Sequence, residues 1–318
     1  MQPAPLFADI AEGPEGGAAF WLTAEDGVRI RIGVWPHAGA RGTVLMLPGR
    51  TEYVEKYGRT AAELARRGYA TVSVDWRGQG LADRALADRA MGHVGDFAEY
   101  QADMRAVATA AQALDLPRPW HLIGHSMGGA IGLRALLEGL DVRSAAFTAP
   151  MWRLSIAPWM RPFAGPVTRA AHRAGRGRRY APGTGPQTYV LAQPFEGNFL
   201  TRDAEMYAHM RHQLERHPEL ELGGPSLTWV SAALAETRAL RRATLPDLPA
   251  YCGLGTAEKI VEAGAIRQMM ARWPGGTLEL YEGAEHEILM EGPALRGRFL
   301  DAAAALFRSA EARSAAGA

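Results

Sequence analysis

Lysine is nearly missing from this chain of 318 residues. Lys56 and Lys259 are the only two, so 33 of the 35 basic side chains are arginine. Cysteine is scarcer still. Cys252 stands alone, which excludes an internal disulfide and fits a reducing compartment. No apolar run approaches the length of a membrane-spanning helix, roughly 20 residues. The opening stretch carries Asp9, Glu12 and Glu15 before its first basic residue, Arg29. A secretory leader needs a basic start and an apolar centre, so none is expected, and the sequence predicts a cytoplasmic protein. A net charge of +1 creates no global field for nucleic acid, and none is expected as a partner.

What is present is an alternation of short apolar runs with amphipathic stretches. Residues 20–23 and 28–35 read as strands joined by an Asp26-Gly27 turn. Residues 43–47 form a continuous apolar run, as expected of a strand covered on both faces. Helical spacing links Val54, Tyr57, Ala61 and Leu64, with Gly68 as the stop. Phe97, Tyr100, Met104, Val107 and Ala111 make the buried stripe of a second helix, which Asp96 and Glu99 open as a capping box. This alternation predicts an α/β fold with a mostly parallel central sheet and helices on both faces. Between residues 152 and 242 it gives way to an irregular helical pattern. There Thr201 is the expected cap of a helix carrying Tyr207, Met210 and Leu214, and Ser226 opens another. The predicted organisation is a flexible arm (1–17), a core (18–151 and 243–310), an inserted helical cap (152–242) and a disordered tail (311–318).

The centre of the pattern is Gly124-His125-Ser126-Met127-Gly128. Apolar residues precede it, and Ala130, Leu133, Leu136 and Leu137 follow at helical spacing, so it reads as strand, tight turn, helix. Such a turn lifts a serine hydroxyl above the sheet edge. The hydroxyl needs a base. Of nine histidines, His286 is the candidate, because it follows the last expected strand in a loop facing the same crevice as Ser126. The orienting acid belongs between them in sequence. No aspartate occurs between Asp247 and Asp301, so Glu258 is the candidate. A developing oxyanion needs backbone donors. These are Met127 N–H at the helix start and Arg50 N–H, in a loop that Gly49 lets fold close to the serine. His125 is expected to point away from its neighbour and pack.

Several separated motifs carry a resemblance. They are Gly49-Arg50-Thr51-Glu52-Tyr53-Val54-Glu55-Lys56-Tyr57, Asp75-Trp76-Arg77-Gly78-Gln79-Gly80, the Gly124 to Gly129 turn, Asn198-Phe199-Leu200-Thr201-Arg202-Asp203, and Glu285-His286-Glu287-Ile288-Leu289. Over about residues 19–308 the chain resembles the α/β-hydrolase superfamily, and within it the bacterial lysophospholipase and monoacylglycerol lipase group. Pro48-Gly49 stands where the usual oxyanion loop has His-Gly, which looks like the lysophospholipase branch. Glu258 stands where the usual acid is aspartate. The resemblance implies a Ser-His-acid carboxylic-ester hydrolase that needs no cofactor and acts on a single-chain lipid ester.

Other signals leave alternatives open. Trp152, Ile156, Trp159, Met160 and Phe163 either pack together or form an acyl-binding or membrane-touching surface. On the second reading Trp152, Trp159 and Phe163 join Gly49 and His125 as substrate contacts. Residues 152–195 contain Arg153, Arg161, Arg169, Arg173, Arg176, Arg178 and Arg179 and no acid. This is a solvated basic face, or a peripheral contact with the anionic inner face of a membrane. His209 and His212 share a helix face but lack a third ligand, so they read as surface residues and no metal is expected. A catalytically silent binding protein and a general carboxylesterase on small soluble esters are the competing functions. Dehalogenation needs an aspartate at the turn, and Ser126 excludes it.

Overall fold

The computed structural model of the chain describes residues 1–155 and 175–316. Among them nine strands form one sheet: β1 (Gln2–Ala4), β2 (Ala18–Thr23), β3 (Arg29–Trp35), β4 (Gly42–Leu47), β5 (Tyr69–Asp75), β6 (Trp120–His125), β7 (Ala145–Thr148), β8 (Ala250–Gly255) and β9 (Gly276–Tyr281). The spatial order is β1-β2-β3-β5-β4-β6-β7-β8-β9. The pairings from β1 to β5 are antiparallel, and those from β5 to β9 are parallel. Helices α1 (Ala8–Ala11), α2 (Gly58–Arg66), α3 (Glu99–Ala113) and α4 (Met127–Leu137) lie in the first half.

Alternate residues of the central strands feed opposite faces, as the pleat requires. Leu45, Leu47, Val72, Val74 and Leu122 pack with Tyr100 and Met104 of α3 and Ile131 and Leu133 of α4. Val44, Met46 and Ile123 face the other way, against Leu64 of α2 and Phe299 and Phe307 of the closing helix Pro293–Ala316. Each such side chain contributes roughly 1.5–3 kcal/mol when fully buried. Between β7 and β8 run helices Ala204–Arg216 and Leu227–Leu240. The first sends Tyr207, Met210 and Leu214 into one cluster, and the second sends Trp229 and Leu240 into the other. No helix among the described residues is long and apolar enough to cross a membrane.

Strand order positions the site. The chain goes from β4 to β5 on one side, then returns to β6 on the other. The carboxyl ends of β4 and β6 therefore border a crevice where the order reverses, the usual place for a ligand in such sheets. Leu47 lies opposite Gly124, which sets the residues after β4 beside those after β6.

The ends of the chain differ from expectation. Residues 1–17 are docked: β1 pairs with β2, Ile10 and Ala11 are buried, and Pro5 O accepts a hydrogen bond from Arg31. Local propensity hides that strand, because β2 supplies its pairing. The closing helix runs on to Ala316, and Glu311 accepts hydrogen bonds from Arg41 and Tyr69. Thr201 is not a cap either. Its hydroxyl is directed to Met290 O and Glu291, and Asp203 accepts from Met206 N–H at the start of the following helix. Ser226 does cap its helix, through Trp229 N–H.

Candidate active site

At the end of β6 the chain reverses into α4 through Ser126, whose backbone has φ +48° and ψ −116°. That conformation is strained for any residue with a side chain, and it is held by its surroundings. A Cβ on Gly128 would lie 2.0 Å from Leu47 O, and one on Gly124 would lie 2.9 Å from Gly129 Cα. The turn thus packs directly on the end of β4, and only glycine fits two positions to either side of the serine.

Two loops bring their residues to this turn. His286 Nε2, after β9, is 2.9 Å from Ser126 Oγ. His286 Nδ1 is 2.7 Å from Glu258 Oε2, after β8. Glu258 Oε1 accepts the N–H groups of Ile260 and Val261 at 2.6 and 3.0 Å, which turns the other oxygen toward the ring. A carboxylate at Nδ1 keeps the proton there and leaves Nε2 free to accept from the serine. Ser126 is 9% exposed and His286 3%, so the line is nearly dry.

Burial alone would raise the Glu258 carboxyl. The charge and hydrogen bond of His286, with the two backbone N–H groups, hold it below its ordinary value. Burial alone would lower His286, but Glu258, Glu287 and Glu52 raise it. His125 behaves oppositely. Burial pushes it down to about 3, with His286 adding to the shift against the pull of Glu52, so it is neutral at any ordinary pH. Its Nδ1 lies 2.7 Å from Thr148 Oγ1.

The backbone N–H groups of Gly49 and Thr51 are engaged by the side chains of Glu52 and Gln79. The N–H of Arg50 between them has no acceptor among the described residues, nor has that of Met127 at the start of α4. Behind this loop lies a buried ionic cluster that sequence reasoning did not assign. Lys56 Nζ is 2.8 Å from Glu52 Oε1 and 2.7 Å from Glu287 Oε2. Tyr57 OH also donates to Glu52, at 2.6 Å. The spacing of four between Glu52 and Lys56 was the available signal, but only the fold brings Glu287 to them. Glu52, His125 and Glu287 have ligand atoms within 4.8 Å of one another. Lys56 already supplies a positive charge to both carboxylates.

A cavity of about 270 Å³ opens on Ser126 and His286. Its apolar wall includes Met151, Leu154, Val190, Leu200, Met210 and Trp229, and Arg50 and His125 also line it. Gly49 and Trp152 do not. Trp152 is fully buried, donates its indole N–H to Gly129 O at 3.2 Å and packs on Phe147 and Trp273. It is a core residue, because the chain just after β7 sets its indole against α4 at Gly129. Ile156, Trp159, Met160 and Phe163 lie outside the described residues. Of the histidine pair, His212 is exposed but His209 is buried against Gln213.

Residues 38–293 match the serine aminopeptidase, S33, family. The chain belongs to that family. It is a serine hydrolase of the α/β-hydrolase group. It is 33% identical over 277 residues to lysophospholipase L2 of Escherichia coli strain K12, covering 81% of this chain and 78% of the relative. A probable lysophospholipase L2 of Haemophilus influenzae is 27% identical over 270 residues, 84% of each chain. Among solved structures, a soluble variant of monoglyceride lipase from Saccharomyces cerevisiae superimposes with a TM-score of 0.70. It is 20% identical, and the match covers 91% of this chain and 94% of that one. That likeness speaks for the fold.

Proposed function

We propose that this hydrolase cleaves the carboxylic ester of a single-chain glycerol lipid, a lysophospholipid or a monoacylglycerol, through an acyl-enzyme on Ser126. The observation that carries the reading is an apolar cavity opening on an aligned serine, histidine and carboxylate. Ser126 Oγ adds to the ester carbonyl while His286 Nε2 takes its proton, and Glu258 stabilises the imidazolium. The N–H groups of Arg50 and Met127 receive the oxyanion, each worth roughly 3–4 kcal/mol in the transition state. His286 then returns the proton to the departing glycerol oxygen as the carbon–oxygen bond breaks. Water, activated by the same nitrogen, hydrolyses the acyl-enzyme to fatty acid and regenerates Ser126.

Residues 152–242 serve in this reading as the cap that closes water out, with its apolar side chains along the acyl chain. The exposed Arg176, Arg178 and Arg179 would rest on an anionic membrane surface. The lysophospholipase names of the two bacterial relatives favour a lysophospholipid. A panel of lysophospholipids, monoacylglycerols and a short p-nitrophenyl ester tests the proposal. Higher kcat/KM on the lipids is the expected result. Turnover of the short ester alone would leave a general carboxylesterase, and no turnover a binding protein.

A further inference from the structure

The fully buried cations nearest the site come with carboxylates. Arg31 holds Glu55 and Asp75 at 2.7 Å each, and Lys56 holds Glu52 and Glu287. Arg50, half-buried beside them, does not. Its side chain lies on the wall of the cavity that contains Ser126, yet no carboxylate among the described residues pairs with it. Nη2 donates to Gly223 O, the guanidinium lies 5.4 Å from the Trp229 ring, and Nε is sealed from solvent with no acceptor. Burial lowers this group only to about 10, so it stays charged at neutral pH. A partly desolvated charge without a counter-ion carries a cost, and a guanidinium has five donors to satisfy. The cavity therefore contains an uncompensated planar cation.

We propose that Arg50 is the headgroup-recognising residue of this cavity, taking the phosphate of a glycerol lipid whose acyl ester sits at Ser126. The inference rests on the lipid-ester reading above. Arg50 joins two functions in one residue: its backbone N–H faces the ester oxygen, and its side chain reaches the polar end of the same substrate. The two are separated by one arginine side chain, comparable to the glycerol backbone between an acyl ester and a phosphate. The guanidinium fork matches phosphate oxygens in pairs, which an ammonium does not. Because the cation is half-buried, with Nε sealed from solvent, salt should screen it less than a fully exposed arginine.

The test compares 1-acylglycerol 3-phosphate with the monoacylglycerol of the same chain in mixed micelles, using wild type, Arg50→Gln and Arg50→Lys. Both substrates share the oxyanion loop, so the ratio of their kcat/KM values isolates the headgroup whatever happens to the common rate. That ratio is expected to fall at least tenfold in Arg50→Gln, mainly through KM, and by less in Arg50→Lys. It should persist in wild type at about 0.5 M salt, where the Debye length has fallen to about 4 Å. In a second arm, glycerol 3-phosphate and inorganic phosphate compete against a short neutral ester, with glycerol as control. Inhibition by glycerol 3-phosphate that weakens at least fivefold in the variants supports the assignment. Stronger inhibition by inorganic phosphate than by glycerol 3-phosphate would make this a free-phosphate site and overturn the headgroup role. Ratios and inhibition within twofold of wild type in both variants would overturn it as well. Wild type that hydrolyses neither lipid would sink the lipid reading instead, while the competition arm still decides whether Arg50 binds the anion.

Discussion

Lys56 Nζ lies 2.7 Å from Glu287 Oε2 and thereby ties the loop after β4 to the residue that follows His286. The same ammonium holds Glu52, whose other oxygen takes Gly49 N–H. One buried cation therefore braces both the loop after β4 and the loop that carries His286. Lys56→Met would leave two buried carboxylates facing each other without it. The expected loss is about 3–5 kcal/mol at neutral pH, measured by urea unfolding. Glu52 is held below its ordinary value by Lys56 and His125 against the effect of burial. Its contribution is present above the ordinary carboxylate value and is lost as pH falls toward the folded one. The penalty of Lys56→Met should therefore shrink in acid. A penalty that is constant with pH would show that lost packing, not charge, is responsible.

Ser126→Ala should abolish ester hydrolysis and leave the melting temperature within a few degrees of wild type. Alanine keeps the Cβ that this backbone already accommodates. A fluorophosphonate probe should label wild type at Ser126 and fail to label the variant. Persistent labelling would move the nucleophile elsewhere.

Glu258→Gln should lower kcat by up to about 10⁴, the scale seen when a triad acid becomes an amide. The pH profile gives a second readout. His286 must be neutral to act as base, and its folded value is raised, so wild-type kcat/KM should climb with pH through a limb above about 6.5, the ordinary histidine value. Without Glu258 the limb should move to lower pH, because burial then opposes only the more distant Glu287 and Glu52 charges. A limb that stays put would mean that a different group titrates.

Gln in place of Arg176, Arg178 and Arg179 together should raise the apparent KM on anionic vesicles and leave kcat on a short soluble ester unchanged. All three are exposed. Their effect should fade between low and about 0.5 M salt, since surface charges are screened within a Debye length. Kinetics independent of salt on both substrates would reduce the patch to surface charge.

The sequence by itself determined the frame and marked the candidate residues at its centre. Residues 43–47 are apolar at every position after the first because a parallel strand is covered on both faces, and that run is legible without any structure. The glycines around Ser126 reflect a collision with Leu47 O and Gly129 Cα, and motif spacing carries that constraint into one dimension. Glu258 could be found by elimination, since the interval between Asp247 and Asp301 offers no aspartate.

Only the tertiary structure decided which charges face one another. Glu52 and Glu287 lie far apart in sequence and share one lysine. Trp152 reads in sequence equally as packing or as a substrate contact, and it is core because its indole is held against α4 at Gly129. Strand β1 and the last turns of the closing helix were invisible for a related reason. Their stability comes from β2, Arg41 and Tyr69 rather than from their own residues. Periodicity records what a segment buries, but the partner of a buried charge is set by strand order, which folds distant loops onto one sheet edge.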